Sequence, residues 1–182
     1  MSAFKIKTKN LILRHLRESD LLGIYELDSD PLVHKYLGNK PIKTKEEALE
    51  SIKSNILQHK ERGIARWAAI EKSSGEFIGW SGLRLNNDLT FNNQTNFYDV
   101  GYRFIPRFWG KGYATESSIV AMDYFFTTMK KELLIGVAEI DNIASNKVLG
   151  KIGLQFKEEF KIDDVKANWY ELKKDEYAKR MS

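Results

Sequence analysis

The sequence predicts one α/β domain built on a mixed sheet. Three observations predict it. Apolar periodicity marks about seven strands and about four helices, their order places one β-α-β crossover in the second half of the chain, and a glycine-containing turn follows the first strand of that crossover. At 182 residues the chain suits a single domain over 1–182, long enough to bury about 70% of its unfolded surface.

Residues 11–16 read as the first strand, and Ser19 and Asp20 as caps for a helix running to about Leu27. Asp30 and Pro31 punctuate the chain. Thr44 and Glu47 form a capping-box pair, and Ala48, Leu49, Ile52 and Ile56 give the next helix its apolar stripe. Residues 66–71 and 76–85 read as strands joined by a turn at 72–75. Five asparagines between Asn86 and Asn96, with no proline or glycine, predict a polar, mobile loop. Residues 98–105 form the next strand, which Pro106 ends, and 112–127 an amphipathic helix. The nearly continuous apolar run at 133–140 is the pattern of a strand covered on both faces. A short helix at 144–152 closes at Gly153, and strands at 154–161 and 168–173 complete the order.

A hydrophobic content of 42% and a charged content of 30% fit a soluble globular protein. No apolar run approaches bilayer length, so no membrane partner is expected. The first residues lack the apolar core of a secretory signal, which makes the cytoplasm the default compartment. With no cysteine, disulfides, thiolate metal sites and a cysteine nucleophile are excluded. The three histidines, at 15, 34 and 59, have no metal-ligand spacing, so no metal is expected. The net charge of +4 reads first as an excess spread over solvated faces, and otherwise as favouring an anionic ligand, nucleic acid or an acidic surface. Its basic clusters are only pairs such as Lys130-Lys131, and no nucleic-acid-reading motif occurs, so nucleic acid is not expected as a partner.

The run Phe104-Ile-Pro-Arg-Phe-Trp-Gly-Lys-Gly-Tyr-Ala-Thr-Glu116 carries the chemistry. Gly110 and Gly112 allow positive φ and close approach, so the amides of Gly110, Lys111, Gly112, Tyr113 and Ala114 are able to turn toward one anion. The helix starting there aims its unpaired N–H groups at the same place, and Arg107 and Lys111 add positive charge. The spacing fits neither the P-loop nor the dinucleotide fingerprint. A surface turn without ligand is the alternative. The crossover sets this turn at the carboxyl end of parallel strands, where ligands bind in mixed sheets.

The Arg-x-x-Gly-x-Gly spacing resembles the acyl-CoA signature of the GNAT N-acetyltransferase superfamily. Asp99-Val-Gly-Tyr102, Trp109-Gly-Lys-Gly-Tyr-Ala-Thr-Glu116, and Asp141-Asn-Ile-Ala-Ser-Asn-Lys-Val-Leu149 with Lys151-Ile-Gly-Leu154 stand in the family's order. Thr8-Lys-Asn-Leu-Ile-Leu-Arg14, Asp30-Pro31 and Phe77-Ile-Gly79 extend the resemblance over nearly the whole chain, toward the RimJ/RimL type of ribosomal-protein N-terminal acetyltransferase. The resemblance implies a mostly antiparallel central sheet with one parallel crossover, and acetyl-CoA as cosubstrate in a gap between the strands ending at Ile105 and Ile140. Phe104 and Ile105 would offer backbone to the pantetheine, residues 110–114 would take the diphosphate, and Asn142 and Ser145 would contact the pantetheine arm and the sulfur. A cap or turn role for Asn142 is compatible with that contact.

Acetyl transfer needs a neutral amine. With free-amine pKa values of about 7.7 to 8.0 for an α-amine and about 10.4 for lysine, reaching the neutral form at pH 7 costs roughly 1 and 4.6 kcal/mol. An N-terminal acceptor therefore needs only a weak base. Asp99 is the first candidate, because an acidic residue recurs at that place in similar enzymes; Glu139 is the second, and a solvated strand-end carboxylate is the alternative for Asp99. Many GNAT enzymes carry a tyrosine as leaving-group acid where this chain has Leu149, which leaves Ser145 as the candidate hydrogen-bond donor to the thiolate, with helix capping as its other reading. His34 lies in a stretch that borders the acceptor pocket in similar enzymes, with a packed or surface histidine as the favoured reading, and Trp67, Trp80, Trp109 and Trp169 read as core or cleft wall, mostly core. The expected activity is acetylation of a primary amine, foremost a protein N-terminal α-amine, by a monomer or homodimer. A small-molecule N-acetyltransferase and a non-catalytic acyl-CoA-binding module are the rivals.

Overall fold

The computed structural model describes residues 4–181. Among them, eight strands form one sheet, β1 (Lys5–Lys7), β2 (Leu11–His15), β3 (Trp67–Glu71), β4 (Phe77–Asn86), β5 (Phe97–Phe104), β6 (Leu133–Glu139), β7 (Gln155–Ile162) and β8 (Val165–Lys173), in the order β1-β2-β3-β4-β5-β6-β8-β7. Six α-helices accompany them: α1 (Leu21–Ser29), α2 (Pro31–His34), α3 (Lys45–Arg62), α4 (Tyr113–Asp123), α5 (Ile143–Ile152) and α6 (Lys174–Met181). β5 and β6 pair in parallel, and the sheet is otherwise mostly antiparallel. This is the mixed sheet with one parallel crossover that the sequence predicts, with one more strand and two more helices. β1 is three residues of Lys-Ile-Lys and α2 a single turn, too short for periodicity to show. α6 is mostly polar in sequence and carries one buried aromatic, Tyr177, which donates to Asp123 Oδ1 at 2.9 Å.

The chain packs as two compact units, one of Met1–Gly82 with Tyr102–Ser117 and one of Leu83–Gly101 with Ser118–Ser182. In the first unit, Leu16, Ile24, Ala48, Ile52 and Ala68 form a buried cluster against which Ile70, Phe77 and Trp80 pack. α3 starts as predicted: Thr44 Oγ1 accepts the Glu47 N–H at 3.3 Å, and Glu47 Oε2 accepts the Thr44 N–H at 2.9 Å. α1 does not start as predicted. Asp20 precedes it but makes no side-chain cap. Its carboxylate instead accepts both Arg14 guanidinium nitrogens, at 2.7 and 2.8 Å, and the Arg17 N–H at 2.9 Å. A buried bidentate pair outcompetes a single cap bond for the same oxygens.

In the second unit, Phe97, Ile135 and Trp169 form the buried cluster, with Phe91, Leu133, Val137 and Phe160 packed around it. β6 pairs with β8 from Leu133↔Lys173 to Glu139↔Ala167 and with β5 at Tyr98↔Leu134 and Asp99↔Ile135. α5 packs on β6 at Gly136, where an added Cβ would lie 2.7 Å from methyl carbons of both Leu149 and Leu154. The asparagine-rich segment contains a tight turn: Phe91 and Gln94 bond each other in both directions, at 3.1 and 2.8 Å, around Asn92 and Asn93 in the left-handed region. The helix predicted at 112–127 regularises only to Asp123 and ends in a π-helical turn at Tyr124–Thr128.

Candidate functional site

The predicted anion turn lies in the first unit. Gly110 and Gly112 hold φ values of 74° and 82°, and a Cβ on either would meet no atom within 4 Å. What the glycines supply is therefore backbone conformation beside open space, as a cradle for a ligand requires. α4 begins at Tyr113, and the Glu116 N–H donates to Gly112 O at 3.0 Å. The N–H groups of Tyr113 and Ala114 precede that first helical bond and have no earlier turn to donate to. The backbone thus fits an anion.

Two carboxylates fix this turn. Glu116 Oε1 accepts the Thr8 hydroxyl at 2.5 Å and the Asn10 N–H at 2.7 Å, and its Oε2 accepts Asn10 Nδ2 at 2.7 Å. Glu71, buried at the end of β3, accepts the Tyr113 phenol at 2.5 Å and the Ser74 hydroxyl at 2.8 Å. The Tyr113 bond, then that of Ser74, holds the Glu71 carboxyl below its ordinary range, and the same bond pushes the Tyr113 phenol up to about 12. Burial pushes the Glu116 carboxyl up, but the bonds from Thr8 and Asn10 outweigh it and leave the group below its ordinary 4.5. Native values below unfolded values mean that the unfolded chain binds more protons, so stability rises with pH in this window. This contribution is whole above about pH 4.5 and fades as pH falls through the lowered native values. In urea titrations at pH 7 and pH 4, Glu116→Gln is expected to be less stable than wild type at pH 7 and to lose less on acidification.

The cations are not free. Lys111 Nζ stands 3.7 Å from Glu71, and Arg107 pairs with Glu26 and, at 3.7 Å, with Glu76. Both cations also lie over the Phe108 ring, at 4.9 and 4.7 Å. The Arg107 pairs are half-exposed on both sides, and such pairs are weak and exchange readily, whereas Lys111 faces the buried Glu71 carboxylate. At the end of β5, Ile105 N–H donates to Ile78 O at 3.0 Å, and Phe104 O accepts Trp109 Nε1 at 2.6 Å. These two groups, named as pantetheine partners from the sequence, have internal partners here.

The second unit carries the other predicted residues. Asp99, half-buried on β5, accepts Asn86 Nδ2 at 2.9 Å, and Asn86 is itself buried. Asn142 caps α5, its Oδ1 accepting the Ser145 N–H at 3.1 Å. Leu149 is core, 1% exposed, so α5 offers no phenol there. Burial, then Asp141, pushes the Glu139 carboxyl above its ordinary range. In the first unit, Trp67 is core; in the second, Trp169 is. His34 is buried, 3.9 Å from an Asp28 that accepts Arg103 at 2.5 Å. Burial, then Arg103, lowers the imidazole pKa. Among the described residues no group of three or more acidic or histidine side chains is arranged to hold a metal, and no helix is long and apolar enough to cross a membrane.

Sequence reasoning missed Asn146. Its Nδ2 donates to the carbonyls of Glu139 at 2.9 Å, Ile140 at 3.3 Å and Asn142 at 2.8 Å, while its Oδ1 accepts Asn168 Nδ2 and the Tyr170 phenol, each at 2.8 Å. One amide thereby ties the turn carrying Asn142 and Ser145 to β8. Glu71 and Glu116 were also missed. The partners that tie them to the turn lie 42 residues away for Glu71 and 106 to 108 for Glu116, so no local pattern announces those ties.

The acetyltransferase (GNAT) domain family matches residues 10–155. With the mixed sheet and the glycine turn, a match over most of the chain defines the class: this protein belongs to the GNAT family and is an acyltransferase enzyme. The uncharacterized N-acetyltransferase YnaD of Bacillus subtilis (strain 168) is 30% identical over 167 residues, 91% of this chain and 92% of that protein. RimL, the ribosomal L7/L12 alpha-N-protein acetyltransferase solved in complex with Coenzyme A, has a TM-score of 0.74 at 19% identity, covering 95% of this chain and 99% of that one. Spermidine N-acetyltransferase from Vibrio cholerae, solved with CoA and spermine, has a TM-score of 0.75 at 19% identity, covering 93% and 98%. At these identities the two likenesses show the fold.

Proposed function

We propose that this protein is a cytoplasmic, single-domain enzyme of monomeric or homodimeric form that acetylates the N-terminal α-amine of a polypeptide. The observation that carries the cosubstrate is the turn at residues 110–114, whose positive-φ glycines lead directly into the first turn of α4. A single domain is supported by a family match that runs through both compact units. Acetyl-CoA supplies the activated acetyl group. Backbone amides of Gly110, Lys111, Gly112, Tyr113 and Ala114 hold its diphosphate, with Lys111 and Arg107 exchanging their carboxylate partners for phosphate oxygens. Phe104 and Ile105 offer the strand end to the pantetheine through the second lone pair of their carbonyl oxygens. Asn142 contacts the pantetheine arm, and the Ser145 hydroxyl donates toward the sulfur. Asp99, oriented by Asn86, accepts the amine proton through water.

The α-amine is favoured because its deprotonation at pH 7 costs only roughly 1 kcal/mol, within reach of a half-buried carboxylate without a histidine partner. The fold likeness extends equally to RimL and to the spermidine N-acetyltransferase, so the choice rests on the chemistry of the amine. A small polycationic amine is the second reading, favoured by one observation: one cavity of the second unit is lined by three carboxylates, Glu139, Asp141 and Glu159, against one cation, Lys166. CoA release measured with a panel of peptide N-termini and polyamines separates the two. The proposal expects a higher kcat/KM for peptides, and a preference for spermidine would transfer the assignment to the second reading. Acetyl-CoA binding without CoA release for any amine would make the protein a binding module. In the same assay Asp99→Asn is expected to lower kcat about 100-fold at pH 7 with the KM for acetyl-CoA unchanged, the loss shrinking as pH rises and the free amine deprotonates itself.

A further inference from the structure

Trp109 is the one side chain of the turn that is both large, apolar and open to solvent, with half of its surface exposed. An indole in that setting is ordinarily turned inward or left mobile. Here it is pinned, because Nε1 donates to Phe104 O at 2.6 Å, and the backbone beneath it is held by the Phe108 N–H to Ile105 O at 2.9 Å and the Trp109 N–H to Pro106 O at 3.0 Å. Its neighbour Phe108 faces the other way, 5% exposed beneath Arg107 and Lys111. The turn therefore presents one rigid aromatic face to solvent, immediately before Gly110.

We propose that the exposed face of Trp109 is the stacking platform for the purine of the acyl donor. This rests on residues 110–114 holding the donor's diphosphate, and adds a subsite for the nucleotide end. A purine joined through a ribose to a diphosphate held at Gly110 lies within reach of the adjacent residue. A flat apolar ring whose edge is already hydrogen-bonded offers stacking without further polar demands. Stacking on an aromatic side chain is tolerant of rotation of the base, which suits a platform placed outside the sheet. The Nε1 bond supplies rigidity, so little side-chain entropy is lost when the base arrives.

The test measures the dissociation constants of CoA and of adenosine 3′,5′-bisphosphate by calorimetry for wild type, Trp109→Ala and Trp109→Phe. Trp109→Ala is expected to weaken both ligands roughly tenfold, while Trp109→Phe, which keeps a ring but loses the indole donor, stays within about threefold of wild type. If Trp109→Phe binds as poorly as Trp109→Ala, the hydrogen bond rather than the face is what matters, and the platform is overturned. If Trp109→Ala binds both ligands like wild type, the platform is overturned while the diphosphate reading stands. If wild type binds neither ligand, both fall.

Discussion

Gly112→Val is expected to abolish measurable acetyl-CoA binding at concentrations that saturate the wild-type protein, with kcat/KM at least about 100-fold lower. The φ of 82° at Gly112 lies where a β-branched residue is a steric outlier. An L side chain there costs about 1–2 kcal/mol, which the turn relieves by rotating toward negative φ and swinging its N–H groups away. Each charge-assisted hydrogen bond lost to a phosphate is worth about 1.5–3 kcal/mol, so two lost bonds suffice for the predicted factor. The protein itself should fold, because a Cβ at Gly112 meets open space. Calorimetry for binding, paired with a melting curve without ligand, separates the two effects. A variant that melts normally and binds normally would remove the turn from the account.

Asn146→Ala should give the second large effect, on stability and turnover together. It removes both partners of a network that joins the carbonyls of Glu139, Ile140 and Asn142 to Asn168 and Tyr170. Leaving a buried polar group unpaired costs about 1–3 kcal/mol, and less for each group of this part-buried network. Backbone bonding and water relieve some of the five contacts, so a net loss of about 3 kcal/mol is expected. Because Asn142 and Ser145 stand on the turn that Asn146 ties down, kcat should also fall at least about tenfold, as small misplacements do in oriented sites. Asn146→Asp, which keeps the acceptor for Tyr170 but sets a carboxylate oxygen against the three carbonyls, should be destabilised at least as much. Urea midpoints and kcat for the two variants check both parts. A destabilised Asn146→Ala with unchanged kcat would confine the residue to stability.

Most of the sheet was legible because its strands carry strong apolar patterns. The run of β6 and the Thr44-to-Glu47 box announce themselves within a few residues. The unread elements are those whose stability comes from elsewhere. Three residues of β1 hold only through pairing with β2, and polar α6 is anchored by Tyr177 stacking on Phe126 at 4.7 Å between ring centroids. Asp20 shows the limit of a local rule: its type and place suit a cap, but Arg14 on β2 takes the oxygens. The glycine turn was readable since positive φ is a backbone property that glycine spacing reports. Its supports were not, because Glu71 and Glu116 find their partners across the fold. The same holds for Asn146, whose five bonds include two to β8. Conversely, Arg107 and Lys111 were readable as charges, while their pairing with Glu26, Glu76 and Glu71 depends on packing.

The most direct measurement is a titration of the wild-type protein with acetyl-CoA, followed by heat and by the melting temperature. Binding to the native state alone raises stability by about 2.7 kcal/mol at one hundred times the dissociation constant. The account predicts saturable heat and an upward shift of several degrees for a chain of this size. Neither heat nor a shift at millimolar acetyl-CoA would contradict it.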